Sequence, residues 1–342
     1  MSTQYRVAVV GATGAVGQEM RRTLARLNFP ISDLVCLASA KSAGKELDFG
    51  TATVTCQELR EDSFKGVDLA LFSAGGAVST RFAPIARDSG CVVVDNSSAW
   101  RMDPSVPLLV PEVNPQDADR HSGIIANPNC STIQMVVALK PLHDAARITR
   151  VVVSTYQAVS GTGAKAMAEL RRQVEELQRG TDARPEVYPH QIAFNCLPHI
   201  DVFLDDGSTK EEQKMVDETR KIMGDSTLKV TATCVRVPVC NGHSESVNVE
   251  LAEDLSPQEA RALLSATPGV IVEDDPATQL YPLAIRASGT DPVYVGRIRR
   301  DPTVTHGLNL WVVADNLLKG AALNAVQIAQ LLDQRGLIRV PR

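Results

Sequence analysis

Residues 5–17, YRVAVVGATGAVG, constrain the fold of this chain more than any other stretch. The apolar run YRVAVV (5–10) has the character of a buried strand and leads straight into a turn carrying Gly11, Gly14 and Gly17. The segment AVGQEMRRTLARL (15–27) then places Val16, Met20, Leu24 and Leu27 on one helical face. A strand that passes to a helix through glycines is the opening unit of a sheet with helical crossovers. Four more apolar runs follow: LVCLA (34–38), VDLALFSA (67–74), CVVVDNS (91–97) and GIIAN (123–127). Strands alternating with helices predict a parallel sheet covered on both faces, the doubly wound Rossmann-type α/β arrangement.

From about Arg150 the pattern changes. Long strand-like runs appear, among them RVVVSTYQAVS, TLKVTATCVRVPV, SESVNVELA, VYVGRIRR and GLNLWVVAD. Two charged helices, about 163–179 and 209–223, are expected outside that sheet. This predicts a second α+β domain built on a mixed sheet. The proline-bearing stretch 179–201 suits an ordered irregular connection, and the helix 317–334 has the apolar surface to pack back on the first domain. The expected division is 1–129 with 317–342 for one domain and 130–316 for the other.

Composition narrows the function classes. With 342 residues, 44% hydrophobic and 22% charged, the chain is ordinary for a globular protein, and its net charge of −5 offers no basic footprint for nucleic acid or an anionic membrane. The start lacks the pattern of a secretory signal, and no apolar run approaches the roughly 18 residues of a membrane span. Seven scattered cysteines, none in a C-x-x-C pair, indicate neither a disulfide framework nor a metal site. The expected setting is a reducing cytoplasm.

GATGAVG has the spacing G-x-x-G-x-x-G, and its place between strand and helix points to a dinucleotide pyrophosphate at the helix N-terminus. The end of the second strand selects the nucleotide. An NAD site usually carries an acid there for the ribose, whereas LASAKSAGK offers Lys41 and Ser42, which suit the 2′-phosphate of NADP. The alternatives are a tight turn without a ligand and a solvated lysine.

NPNCST places Cys130 where a strand gives way to a helix, a position that favours the thiolate, the alternative being a buried and inert cysteine. A thiolate beside a nicotinamide can add to an aldehyde, lose hydride to the cofactor and leave a thioester. Such chemistry calls for an acid/base near neutral pH. His121, His143, His199 and His306 read as structural, His190 stays open, and His243 follows a strand end and a glycine, from which it can enter a cleft. Arg236 alternates with apolar Val230, Ala232 and Cys234, so its guanidinium must find an anion, either a substrate carboxylate or a structural glutamate. In STKEEQKM, Ser208 with Glu211 and Thr209 with Glu212 fit a capping box equally well. Glu211 and Lys214, three apart, read most simply as an exposed pair.

GATGAVG, ASAKSAGK, VDNSSAWRMD, VPEVN, NPNCST, TYQAVSGTG, FNCLPHID, EEQKM, RVPVCNGHSESV and ADNLLKGAALNAVQIA occur in the order found in bacterial aspartate-semialdehyde dehydrogenases. The chain resembles that family over essentially its whole length. The resemblance implies reversible, NADPH-dependent reduction of L-4-aspartyl phosphate to L-aspartate 4-semialdehyde and phosphate, on the route to lysine, methionine and threonine. It makes Cys130 the thioester-forming nucleophile and His243 the acid/base, with Asn129 shaping the site. It gives Gln157 the orienting of substrate, Arg236 its α-carboxylate, Glu211 its ammonium, and Arg101 with Lys214 the phosphate. Gly11, Thr13, Gly14, Ala15, Val16, Lys41, Ser42, Ser160, Gly161 and Asn316 would line the NADP site, and a homodimer would form through the second domain. Lys41 stands where the family often has arginine, and a lysine lacks the planar fork.

Two other readings compete. N-acetyl-γ-glutamyl-phosphate reductase shares the fold type and thioester chemistry, but its acylated substrate amine has less need of Glu211. A non-catalytic NADP-binding redox sensor would use Cys130 as a switch and need neither Arg101 nor Lys214.

Overall fold

The computed structural model describes residues 3–339, and the chain divides into two compact units, residues 1–129 with 321–342, and residues 130–320. The first unit opens with β1 (Tyr5–Val10), α1 (Ala15–Arg26) and β2 (Ile31–Ala38). A small antiparallel hairpin, β3 (Glu46–Phe49) and β4 (Ala52–Thr55), precedes the two-residue β5 (Gln57–Glu58). Then come β6 (Leu69–Phe72), α2 (Gly76–Asp88), β7 (Val92–Asp95) and β8 (Ile124–Ala126). The sheet order is β5-β2-β1-β6-β7-β8, with every pairing parallel. The chain runs outward from β1 to β2 and later returns to β6 on the other side of β1. In sheets of this kind the point of reversal, beyond the carboxyl ends of β1 and β6, is where ligands bind.

The second unit begins with α3 (Cys130–Ala146), followed by β9 (Ile148–Gln157), α4 (Ala164–Gln178), α5 (Lys210–Met223), β10 (Lys229–Arg236) and β11 (His243–Leu251). It continues through α6 (Pro257–Ser265), β12 (Val270–Val272), α7 (Ala284–Ala287), β13 (Val293–Arg300) and β14 (Gly307–Ala314). Its sheet order is β10-β9-β11-β14-β13-β12, parallel at both edges and antiparallel between, so it is a mixed sheet. The irregular connection after α4 is anchored by hydrogen bonds. Gln173 Oε1 accepts from the N–H groups of Ile192 (2.9 Å) and Ala193 (3.1 Å), and Glu169 accepts from those of Glu186 and Val187.

The chain then passes through a π-helical turn, Leu318–Ala322, into α8 (Leu323–Gln334). Val326, Ile328, Ala329 and Leu332 of α8 join Val7, Val9, Met20, Leu24, Leu69, Leu71, Val92, Val94 and Ile125 in the core of the first unit. No described helix is long and apolar enough to cross a membrane.

Candidate active site

In the first unit the glycine turn is dictated by close contacts. Gly11 has φ +83°, and a Cβ there would stand 2.4 Å from the carbonyl oxygen of Ser73, just beyond β6. A Cβ on Gly17 would stand 2.2 Å from Gly11 O. The turn is pinned from below by the Leu37 carbonyl, which accepts from the N–H groups of Gly11 (2.8 Å) and Ala12 (3.1 Å). Helix α1 starts without a capping side chain, because its cap is Gly14. Thr13, Gly14, Ala15 and Val16 line this uncapped and partly exposed helix start, which leaves N–H groups for an anion. Beyond β2, Lys41 and Ser42 lie in a short 3₁₀ turn with Lys41 exposed, and the last residue of the strand, Ala38, pairs with Glu58 of β5. The uncapped helix start fits the pyrophosphate of a nicotinamide dinucleotide.

Arg101 is buried at the carboxyl edge of the same sheet, where its Nε donates to Asn127 O (3.0 Å) and its Nη2 to Asn96 O (2.9 Å). Asn127 is itself bonded to Asn96 (2.7 Å) and Asn324 (2.6 Å). Asn129, also buried, ends this unit.

In the second unit the candidate residues gather at one end of the mixed sheet. β9 ends at Gln157 and β10 at Arg236, paired in register, while β11 starts at His243 in the adjoining antiparallel position. Helix α3, headed by Cys130, packs on β9, β11 and β14. Cys130 is half-buried, and Gly320 permits its close approach to the π-helical turn, since a Cβ at 320 would lie 2.8 Å from Cys130 Cβ. Gln157 ties the sheet to this helix, its Nε2 donating to Ser131 Oγ and to Glu211 Oε1 (3.2 Å).

The backbone of one residue, Ala158, orients two of the side chains. Its N–H donates to His243 Nδ1 (3.0 Å) and its carbonyl accepts from Arg236 Nη1 (2.7 Å). With Nδ1 accepting, the neutral imidazole carries its proton on Nε2, which is buried and has no hydrogen-bond partner. Burial, and then the Arg236 guanidinium, push the His243 pKa well below the usual histidine value, so the ring is neutral. The anion expected for Arg236 is not a glutamate: Nη1 is held by the Ala158 carbonyl, and Nε has no partner. A carbonyl dipole satisfies part of the guanidinium and leaves the rest for an anionic ligand.

The Glu211–Lys214 pair is not the exposed pair that its spacing suggested. Glu211 is buried, and Lys214 Nζ lies between Glu211 Oε2 (3.0 Å) and Asp201 Oδ2 (2.7 Å). Burial alone would lower the Lys214 pKa, but the two carboxylates outweigh it and raise the value above that of a free lysine. The helix is capped by the other candidate pair, Thr209 with Glu212, which frees Glu211 to face the sheet. Ser160 and Asn316 are both buried and bonded to each other (2.8 Å); Asn316 Oδ1 also accepts from Gly242 N–H (2.9 Å) and Ser160 Oγ donates to Asn241 (2.9 Å). They therefore hold the turn that delivers His243.

Gly161 closes over these groups. A Cβ there would lie 3.1 Å from Arg236 Nη1 and 3.3 Å from His243 Nε2 and Cε1. Gly161→Ala should therefore reduce kcat/KM on the order of tenfold in steady-state assays by shifting the ring a few tenths of an ångström. Wild-type kinetics in that variant would show that the ring's placement is not critical.

Sequence reasoning missed Ala158, Asp201 and Gly320. Ala158 acts through its backbone, which leaves no signal in residue type, whereas Asp201 sits in FNCLPHID and was open to notice as an acid within a long motif. Among the described residues no group of three or more His, Cys, Asp and Glu side chains is placed to hold a metal ion.

Known proteins resemble the chain throughout. Residues 6–121 match the semialdehyde dehydrogenase NAD binding domain, and residues 139–319 the semialdehyde dehydrogenase dimerisation domain. The chain is 59% identical over 338 residues to aspartate-semialdehyde dehydrogenase of Aquifex aeolicus (strain VF5), covering 98% of this chain and 99% of that protein. The crystal structure of aspartate semialdehyde dehydrogenase II from Vibrio cholerae complexed with ASA superposes with a TM-score of 0.94 at 48% identity, covering 97% of this chain and 99% of that one. That of the Candida albicans aspartate semialdehyde dehydrogenase with NADP gives a TM-score of 0.76 at 26% identity, over 98% and 100% of the two chains.

Proposed function

The chain belongs to the aspartate-semialdehyde dehydrogenase family of enzymes, and on that premise we propose that it interconverts L-4-aspartyl phosphate and L-aspartate 4-semialdehyde through a thioester on Cys130, with NADP as cofactor. The observation that carries the reading is the convergence of Gln157, Glu211, Arg236 and His243 at the sheet end covered by the Cys130 helix. A zwitterionic substrate needs a cation for its carboxylate, an anion for its ammonium and a nucleophile for its aldehyde carbon. Arg236, Glu211 and Cys130 are of the right types.

In the oxidative direction the Cys130 thiolate adds to the aldehyde carbon while the C=O π pair moves onto oxygen, giving a thiohemiacetal alkoxide whose electron pair re-forms the carbonyl as hydride leaves. His243 Nε2–H lies on the ring edge able to donate to the oxygen that gains charge in this step, and His243 is the assigned acid/base. When bound, NADP supplies the hydride acceptor that allows the thiohemiacetal to become a thioester. A phosphate oxygen then attacks the thioester carbonyl, the C–S bond breaks, and acyl phosphate leaves with the thiol restored. Arg101 and Lys214 are assigned to phosphate, Gln157 and Asn129 to orienting the acyl group. The turn of Gly11 to Val16 with Lys41 and Ser42 is assigned to the dinucleotide, and Ser160, Gly161 and Asn316 to the same cofactor's surroundings. The enzyme is proposed to act as a cytoplasmic homodimer on the route to lysine, methionine and threonine.

The reading is tested by following NADP reduction with aspartate semialdehyde, with and without phosphate. Phosphate-dependent reduction is expected, with little activity when N-acetyl-γ-glutamyl phosphate is offered with NADPH. Preference for the acetylated substrate, or binding without turnover, would contradict it. Lys41→Ala should lower the preference for NADP over NAD about tenfold, the worth of one exposed charge-assisted contact. An unchanged ratio of kcat/KM values would remove Lys41 from the nucleotide site.

A further inference from the structure

Below the row formed by Arg236, Gln157 and His243, the same face of the mixed sheet carries a second row, Cys234, Thr155, Glu245 and Val312, paired strand to strand. Glu245 is the anomaly in it. Its relative exposure is 0%, and neither carboxyl oxygen has a hydrogen-bond partner. Thr155 Oγ1 and Gln134 Oε1 are likewise buried without one. Gln134 stands one turn after Cys130 on α3, and its Nε2 donates to the backbone oxygen of His243 (3.4 Å). The groups facing Glu245 are Thr155 from β9, Val312 from β14, Gln134 from α3 and, one strand further, Cys234 from β10, with His243 two residues away on its own strand. None of the facing groups is a lysine or an arginine.

We propose that Glu245 is a positioning residue for the reaction, joining the start of the His243 strand to the first turns of the Cys130 helix through Gln134. The inference rests on the reading of Cys130 and His243 as the reacting groups. A carboxylate with no cation and no donors in a dry interior is strongly disfavoured, so the group retains its proton. Burial accordingly drives its pKa well above 4.5, with the Gln134 side chain opposing that only in part. A protonated carboxyl is both donor and acceptor. Its O–H supplies the donor that Gln134 Oε1 lacks, and its carbonyl oxygen is an acceptor for the Thr155 hydroxyl. The Gln134 amide is then held at both ends, by Glu245 and by the His243 backbone, and the helix cannot shift against the strand without breaking that chain.

The proton on Glu245 is tested by infrared difference spectroscopy of the full-length enzyme at pH 8 against Glu245→Gln. A protonated-carboxyl band present in the wild type and absent in the variant is expected, and its absence from the wild type would overturn the inference. This measurement needs no substrate, so its failure is distinct from failure of the proposed activity.

Kinetics then separate positioning from plain packing. Glu245→Gln keeps a donor and an acceptor, and should retain kcat within about threefold with an unmoved pH profile. Glu245→Leu should lower kcat about tenfold or more with KM changed less than about twofold. A shifted acid limb in Glu245→Gln would mean that a charge at 245 tunes His243, and would overturn the proposal. So would wild-type kcat in Glu245→Leu.

Discussion

Replacing Cys130 by alanine should reduce turnover of aspartate semialdehyde at least about 10⁴-fold, while NADP affinity changes less than about twofold. The asymmetry follows from where the sulfur sits. Cys130 heads α3 in the second unit, whereas the glycine turn and the uncapped start of α1 lie in the first. The sulfur forms and breaks the bond to the acyl carbon, and no neighbouring side chain can take over that step, because Ser131 beside it is buried and hydrogen-bonded to Gln157. Single-turnover kinetics and calorimetric titration with NADP would measure both quantities. Residual turnover of a few per cent would remove the covalent route, and lost NADP binding would show that the variant is misfolded.

His243→Ala should lower kcat about 10²- to 10⁴-fold, the range for loss of a positioned acid/base. The pH dependence follows from the environment of the ring. Because burial and Arg236 hold its pKa well below 6.5, the wild-type acid limb of kcat/KM from this group should fall well below pH 6.5. Stability carries the same signature with a definite sign. Between the unfolded value near 6.5 and the depressed folded value, the unfolded chain binds more protons, so stability falls as the pH drops through that window. His243→Ala removes this one contribution and should flatten the melting temperature below about pH 6.5, which scanning calorimetry across the pH range would show. A wild-type acid limb centred near 6.5 would mean that the ring is more hydrated than its 0% exposure indicates.

The sequence carried the features with strong local periodicity. YRVAVVGATGAVG announced β1, the turn and α1 because Gly11 and Gly17 are forced there by close backbone contacts. The long strands of the second unit were equally plain. The β3–β4 hairpin and the short strands β5 and β12 went unread, since two to four residues cannot establish a period. Glu211 and Lys214 looked solvated because an i, i+3 charge pair has the same pattern on a bare helix as on one laid against a sheet. Their burial follows from α5 packing on β10, a long-range fact. Glu245 was legible in retrospect. In HSESVNVEL, every second residue from His243 leads through Glu245 to Val247 and Val249, all on the face that is buried.

The most direct measurement is the mass of the protein after incubation with aspartate semialdehyde and NADP in the absence of phosphate. Hydride transfer can then proceed while the acyl group has no acceptor other than water. The expected result is an aspartyl group on the peptide containing Cys130, formed with NADPH and removed when phosphate is added. NADPH formation without that adduct, or an adduct on any other cysteine, would contradict a mechanism that passes through this sulfur.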